Sequence, residues 1–204
     1  LYGQMKPLPL RPDETSAPMG RPAKLIKAYL MLKTVISSVA CVLALLCSAA
    51  SAQETSNRVA AKTDWSVFVE SDPKECWAVT APKETVNTKG GQVVSVRRGQ
   101  ILLFVFHRPG NDVKGQVAFT GGYPFAKDRP IILNIDGADC ELSIDGEWAW
   151  PPSPSDDAKI VAAMKRGAKA VITAQSERGT VTKDTFSLKG FTAAVTDSEK
   201  RCTG

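Results

Sequence analysis

The sequence predicts a mainly β domain: an antiparallel β-sandwich or barrel of about nine strands with two short helices, one near residues 155–166 and one C-terminal. Three observations carry that prediction. Short apolar or alternating segments recur with turn signals about every 8 to 12 residues. Two Asp-Gly pairs, Asp136-Gly137 and Asp145-Gly146, sit between such segments as hairpin turns do. Only two stretches show helical spacing, and each ends in basic residues.

Before these elements comes a leader. Residues 1–30 are basic and rich in proline (Pro7, Pro9, Pro12, Pro18 and Pro22) and show almost no apolar periodicity. They read as an extended leader or as sequence upstream of a start at Met31, and neither version folds. Residues 31–52 combine a basic start, an apolar run from Val39 to Cys47 and the small-residue ending Ala50-Ser51-Ala52. That pattern is a signal peptide cut between Ala52 and Gln53. The apolar run is shorter than the roughly 20 residues a spanning helix needs. Gln53 to Thr63 reads as a polar tether, and 64–202 as a single domain.

Within that domain, Asp64 to Glu70 places Trp65, Val67 and Val69 on one face of a strand, and Cys76 to Ala81 gives a second. Gln92 to Arg97 and Ile101 to His107 flank Arg98-Gly99-Gln100 and read as a hairpin. The second arm is apolar on both faces, as a covered central strand is. Gly115 to Thr120, Ile131 to Asp136, Asp139 to Ile144 and Glu147 to Trp150 follow as strands. The prolines Pro151, Pro152 and Pro154 then stop the sheet. A helix starts at Ser155, with Asp156 and Asp157 in its first turn, Lys165 and Arg166 in its last and Gly167 beyond. Lys169 to Gln175 and Thr180 to Phe186 form a last hairpin. In Ser187 to Cys202, Phe191, Val195, Ser198 and Cys202 recur at helical spacing.

The cut changes what composition says. Six of the 26 basic and two of the 21 acidic residues precede Gln53, leaving 20 against 19 in the remaining 152 residues. A near-neutral domain has no basic face to displace counterions from phosphate, which argues against nucleic acid as a partner. Arg97 and Arg98 read as a polar hairpin end. The only membrane contact implied is the transient one made by the signal peptide.

Three cysteines remain after cleavage. Cys140 alternates in phase with Leu142 and Ile144, so it is expected as a free buried thiol behaving as a small apolar residue. Cys76 and Cys202, near the two ends of the domain, are expected to form a disulfide.

Along the domain run Asp64-Trp65 with Val67, Cys76, Gly122-Tyr123-Pro124-Phe125, Ala149-Trp150, Ala163-Met164-Lys165-x-Gly167, Ser176-x-Arg178-Gly179-Thr180, Phe186-Ser187-Leu188-x-Gly190-Phe191 and Cys202. In order and spacing these motifs resemble those of the invasion-associated locus B family of bacterial exported proteins. Cys140 stands where a larger apolar residue is expected. The resemblance implies an exported envelope or periplasmic protein, no established enzymatic activity, and a founding member linked to host-cell entry.

The residues themselves offer no catalytic constellation. His107 is the only histidine, so no His pair can hold a metal, and at a strand end it reads as a partly exposed packing residue. Ser143, Ser176 and Ser187 lack the G-x-S-x-G elbow. Asp136, Asp139, Glu141, Asp145 and Glu147 form an acidic run that reads as a solvated strand face and does not match a calcium loop. No cofactor or metal is expected.

The surface candidate is aromatic. Trp148 and Trp150 share a strand face, and with Tyr123 and Pro124 they could form a platform for a glycan or a proline-rich peptide; the alternative is that both tryptophans lid the core. The expectation is a non-catalytic binding module in the periplasm or cell envelope, or secreted, engaging a protein or glycan partner of the envelope or a host cell, with invasion or an envelope function as its setting. The alternatives are a periplasmic enzyme on envelope glycans, using carboxylates from 136–147, and a structural envelope-integrity factor.

Overall fold

The computed structural model describes residues 57–204. The leader, the signal peptide and the first residues of the tether lie outside the described residues. The domain is mainly antiparallel β with two helices, as expected, but it has twelve strands, and the sheet is open, ending at its first and fifth strands. A closed barrel is thereby corrected to an open, sandwich-like arrangement.

The first part of the sheet runs β1 (Arg58–Lys62), β2 (Trp65–Ser71), β3 (Lys74–Thr80), then β6 (Leu102–Arg108), β7 (Val113–Thr120) and β10 (Trp148–Trp150). The second runs β8 (Ile131–Ile135), β11 (Lys169–Gln175), β12 (Val181–Ser187), β4 (Glu84–Lys89) and β5 (Gln92–Val93). β9 (Ala138–Asp145) joins the two. Its first residues pair with β8 and its last with β10, so one strand turns the corner between layers. Asp136-Gly137 makes the β8–β9 turn with φ of 47° and 100°, the left-handed pair such a two-residue connection needs.

Two strand assignments need correction. The expected 92–97/101–107 hairpin does not form: β5 stops at Val93 and pairs with β4, while Gly99 N donates to Gly122 O at 2.9 Å from an irregular segment. The alternation in 92–97 reflects exposure of Val93 and Val96 and no second ladder. The expected tether contains β1, which pairs with β2 although RVAAK shows no alternating pattern, because a partner strand supplies what periodicity lacks.

α1 (Pro154–Arg166) begins one residue earlier than expected. Ser153 is its N-cap, with Oγ accepting from Asp156 N at 3.3 Å. Asp157 serves the sheet. β10 is only three residues long, so Val117 N–H on β7 outlasts it, and the buried Asp157 Oδ1 accepts that hydrogen at 2.8 Å.

α2 (Phe191–Thr203) buries Phe191, Val195, Ser198 and Cys202, the spacing read from the sequence. Phe191 meets Trp65 edge-on at 4.8 Å, and Trp65 Nε1 donates to Ser187 O at 3.0 Å. Burying one such aromatic contributes about 1.5–3 kcal/mol. Cys76 and Cys202 are bonded, with Cα atoms 5.7 Å apart across 126 residues of sequence. The bridge ties α2 to β3.

The core lies between the layers, where Phe119 on β7 meets Phe186 on β12 edge-on at 6.1 Å, with Ile160 and Met164 of α1 closing it. The other face of the first layer carries a ring series in which Phe68 stacks on Trp77 at 5.5 Å, Phe106 on Phe104 at 5.1 Å, and Phe104 meets Trp148 at 5.8 Å. Arg108 lies over Phe106 and pairs with Glu75 at 3.2 Å.

Candidate functional site

The loop leaving β7 is Gly121-Gly122-Tyr123-Pro124-Phe125, and the irregular segment 94–101 lies against it. Gly122 permits the approach. Its φ is 72°, and a Cβ there would sit 2.6–2.8 Å from the backbone of Gly99. The contact delivers Arg98 to the gap between the layers.

Arg98 makes a two-toothed ion pair with Asp184 of β12, Nη1 to Oδ1 at 2.8 Å and Nη2 to Oδ2 at 2.6 Å. Its Nε donates to Gly121 O at 2.9 Å, and Thr85 Oγ1 donates to Asp184 Oδ1 at 3.0 Å. The pair is enclosed and its fork is well satisfied, the arrangement in which a buried charge pair holds a geometry. The guanidinium lies 5.0 Å from the Tyr123 ring centroid, and Tyr123 Oη is 2.5 Å from Thr182 Oγ1. Burial pushes the Tyr123 phenol above its ordinary value, opposed by the Thr182 hydrogen bond and the Arg98 charge. The ring is therefore an uncharged phenol at neutral pH.

Above this floor opens a groove of about 510 Å³, with Tyr123, Pro124, Arg97, Arg178, Glu147 and Glu177 among its walls. Pro124, Arg97, Arg178 and both glutamates are exposed, so solvent-facing charges border a hydrogen-bonded aromatic floor. Such a surface can hold an extended chain or a sugar ring by stacking and by hydrogen bonds from its rim.

The four expected platform residues do not form one surface. Trp150 is 1% exposed and stacks on Trp148 at 5.8 Å, and the half-buried Trp148 packs on Phe104. Both are packing residues, because the short β10 lies against β7 with its tryptophans over the ring series. Tyr123 and Pro124 belong to the groove, which neither tryptophan lines. Arg98, the residue that organises the floor, was read from sequence only as part of a hairpin end. The available signal is Asp184 in TKDTFS, which alternates in phase with Phe186 and so falls on the face that strand buries.

His107 is 5% exposed, not partly exposed as expected; it faces α2 where β6 passes below the helix. Cys140 is half-buried, not buried, because β9 turns the layer corner there. Burial and the neighbouring Asp139 and Asp156 charges push its thiol up, so it is a weak nucleophile. In the acidic run, Asp139, Glu141, Asp145 and Glu147 are exposed. Asp136 is committed to backbone, accepting from Ala168 N at 2.7 Å. Glu141 and Asp145 line a separate open groove of about 780 Å³ with Lys127 and Arg129. Among the described residues no cluster of three or more His, Cys, Asp or Glu could hold a metal ion, and no helix is long and apolar enough to cross a membrane.

Residues 132–199 match the family model of the invasion associated locus B (IalB) protein. Over that stretch the chain is similar to the IalB family. The matched stretch supplies Glu147, Arg178 and Thr182 to the groove and Asp184 beneath its floor, while Arg98, Tyr123 and Pro124 precede it. The crystal structure of invasion associated protein B from Bartonella henselae is similar at 18% identity, covering 68% of this chain and 93% of that one with a TM-score of 0.45. No curated protein matches the chain.

Proposed function

We propose that the chain is an exported protein of the bacterial envelope whose domain acts by binding, not catalysis, through the groove over Tyr123, with a protein or glycan partner in the envelope or on a host cell. The observation that carries this reading is the contrast between floor and rim: Tyr123 is fixed by Arg98, Asp184 and Thr182, while Pro124, Arg97 and Arg178 stand open to solvent. A site whose floor is already ordered loses little freedom when a partner arrives. The IalB match and the signal-peptide pattern of residues 31–52 support the envelope setting.

The test immobilises the oxidised, processed protein and exposes it to envelope extract and, separately, to host-cell surface proteins. A retained species that is competed by soluble protein and lost in Pro124→Ala and Arg178→Ala at unchanged melting temperature supports the reading. Retention that both variants keep, or no saturable retention from either pool, removes it.

A further inference from the structure

A third cleft, of about 240 Å³, opens between the two helices over β6 and β7, away from Tyr123. α1 supplies Ala158, Val161, Ala162 and Lys165, an i, i+3, i+4, i+7 stripe, and α2 supplies Val195 and Glu199, one turn apart. The imidazole of His107 lies at its base, flanked by Lys114 and Gly115.

Three features mark this cleft. His107 is 95% buried, and its Nε2 has no hydrogen-bond partner, which costs free energy unless something supplies one. Lys165 and Glu199 are exposed at the rim, and neither side chain has an ion-pair partner among the described residues. All three residues line the same cleft, and the charges of Glu199 and Lys165 act on His107 in opposite senses beside the larger lowering by burial. Lys114, the other cation of the lining, is already held by Asp112 at 2.9 Å.

The walls between these groups are apolar and small, so the cleft offers one free cation, one free anion, an aliphatic surface and an unsatisfied ring nitrogen. A simple anion would meet Lys165 but be opposed by Glu199, and a simple cation would meet the reverse. We propose that the cleft between α1 and α2 binds a small zwitterion with an aliphatic body, of the class of the apolar α-amino acids. Its carboxylate faces Lys165, its ammonium faces Glu199, its side chain lies on Ala158, Val161, Ala162 and Val195, and its polar head reaches His107. This site is independent of the groove over Tyr123, and neither proposal depends on the other.

The chain's single histidine makes the test direct, because one imidazole signal reports the base of the cleft. The full chain, labelled with nitrogen-15 at histidine, is titrated with L-leucine, with 4-methylvalerate, which lacks the ammonium, and with isoamylamine, which lacks the carboxylate. The expected result is a saturable shift of the His107 signal by L-leucine in the millimolar range. Each single-charge analogue should bind at least about tenfold more weakly, as losing one charged hydrogen bond requires. Lys165→Met and Glu199→Gln should each weaken L-leucine by a similar factor at unchanged melting temperature, while Lys200→Gln, on the exposed side of α2, should not. No saturable shift up to about 50 mM L-leucine, well above a millimolar Kd, overturns the proposal. Equal binding of either single-charge analogue overturns it too, as does L-leucine binding that survives both variants.

Discussion

Arg98 reaches from the irregular segment beside β5 to Asp184 on β12 and meets it with two hydrogen bonds, 2.8 and 2.6 Å long, in a space where the side chains are 6% and 0% exposed. Removing one partner leaves the other charge buried alone. Arg98→Met or Asp184→Asn should therefore cost about 3–5 kcal/mol, and the double variant Arg98→Met/Asp184→Leu should recover much of that loss. Urea midpoints of the three variants check this. If the single variants are neutral, the pair does not hold the floor of the groove.

The Cys76–Cys202 bond closes a loop of 126 residues. The chain-entropy relation gives at most about 5 kcal/mol for a loop of that length. Cys76→Ser/Cys202→Ser should lower the denaturation midpoint by an amount approaching that, and reduction of the parent protein should do the same. Cys140→Ser should change stability by less than about 1 kcal/mol, since the thiol is half-buried and unbonded. Alkylation of the native protein after export should label one thiol.

His107 gives stability a pH dependence with a fixed sign. Burial lowers its folded pKa below the ordinary 6.5, so the unfolded chain binds a proton that the folded chain resists. The stability tied to the neutral ring is complete above the unfolded value and is lost as pH falls from about 6.5 toward the lowered value. Glu199 faces the ring and moderates the effect, while Lys165 reinforces it. Denaturation midpoints at pH 7.5 and 5.5 should differ in the parent and differ less in His107→Gln. An equal difference in both proteins would assign the dependence to other groups.

Gly122→Ala should destabilise by about 1–3 kcal/mol, because it combines a φ of 72° with a Cβ driven into the Gly99 backbone. Gly110→Ala, where a Cβ meets nothing within 4 Å, is the control. Thermal melts of the two separate a close approach from a general effect of losing glycine.

How far the sequence carried differs between fold and site. Strongly periodic segments were legible: β11 is Lys169–Gln175 as read, and α2 buries Phe191, Val195, Ser198 and Cys202 on the spacing that marked it. β4, with the sequence ETVNTK, was not legible, because its pairing with β12 comes from tertiary context and its side chains are half-covered at most. The groove was half legible. Tyr123 and Pro124 stood out as an aromatic and a proline after a glycine pair, but the tryptophans drew attention to a strand that packs them inward. Arg98 stayed hidden because its partner lies 86 residues on, and no local pattern encodes a contact over that distance.

The bridge from β3 to α2 also sets a schedule. Cys76 leaves the ribosome more than a hundred residues before Cys202, so it has no partner while most of the domain is being made and moved. Throughout that interval the earlier cysteine is an open thiol, able to take a wrong mate, and Cys140 is the one that arrives first. Correct oxidation must therefore wait for the last helix, or be repaired once it arrives. In the exported setting proposed above, disulfide exchange would govern the yield of this chain as well as its stability.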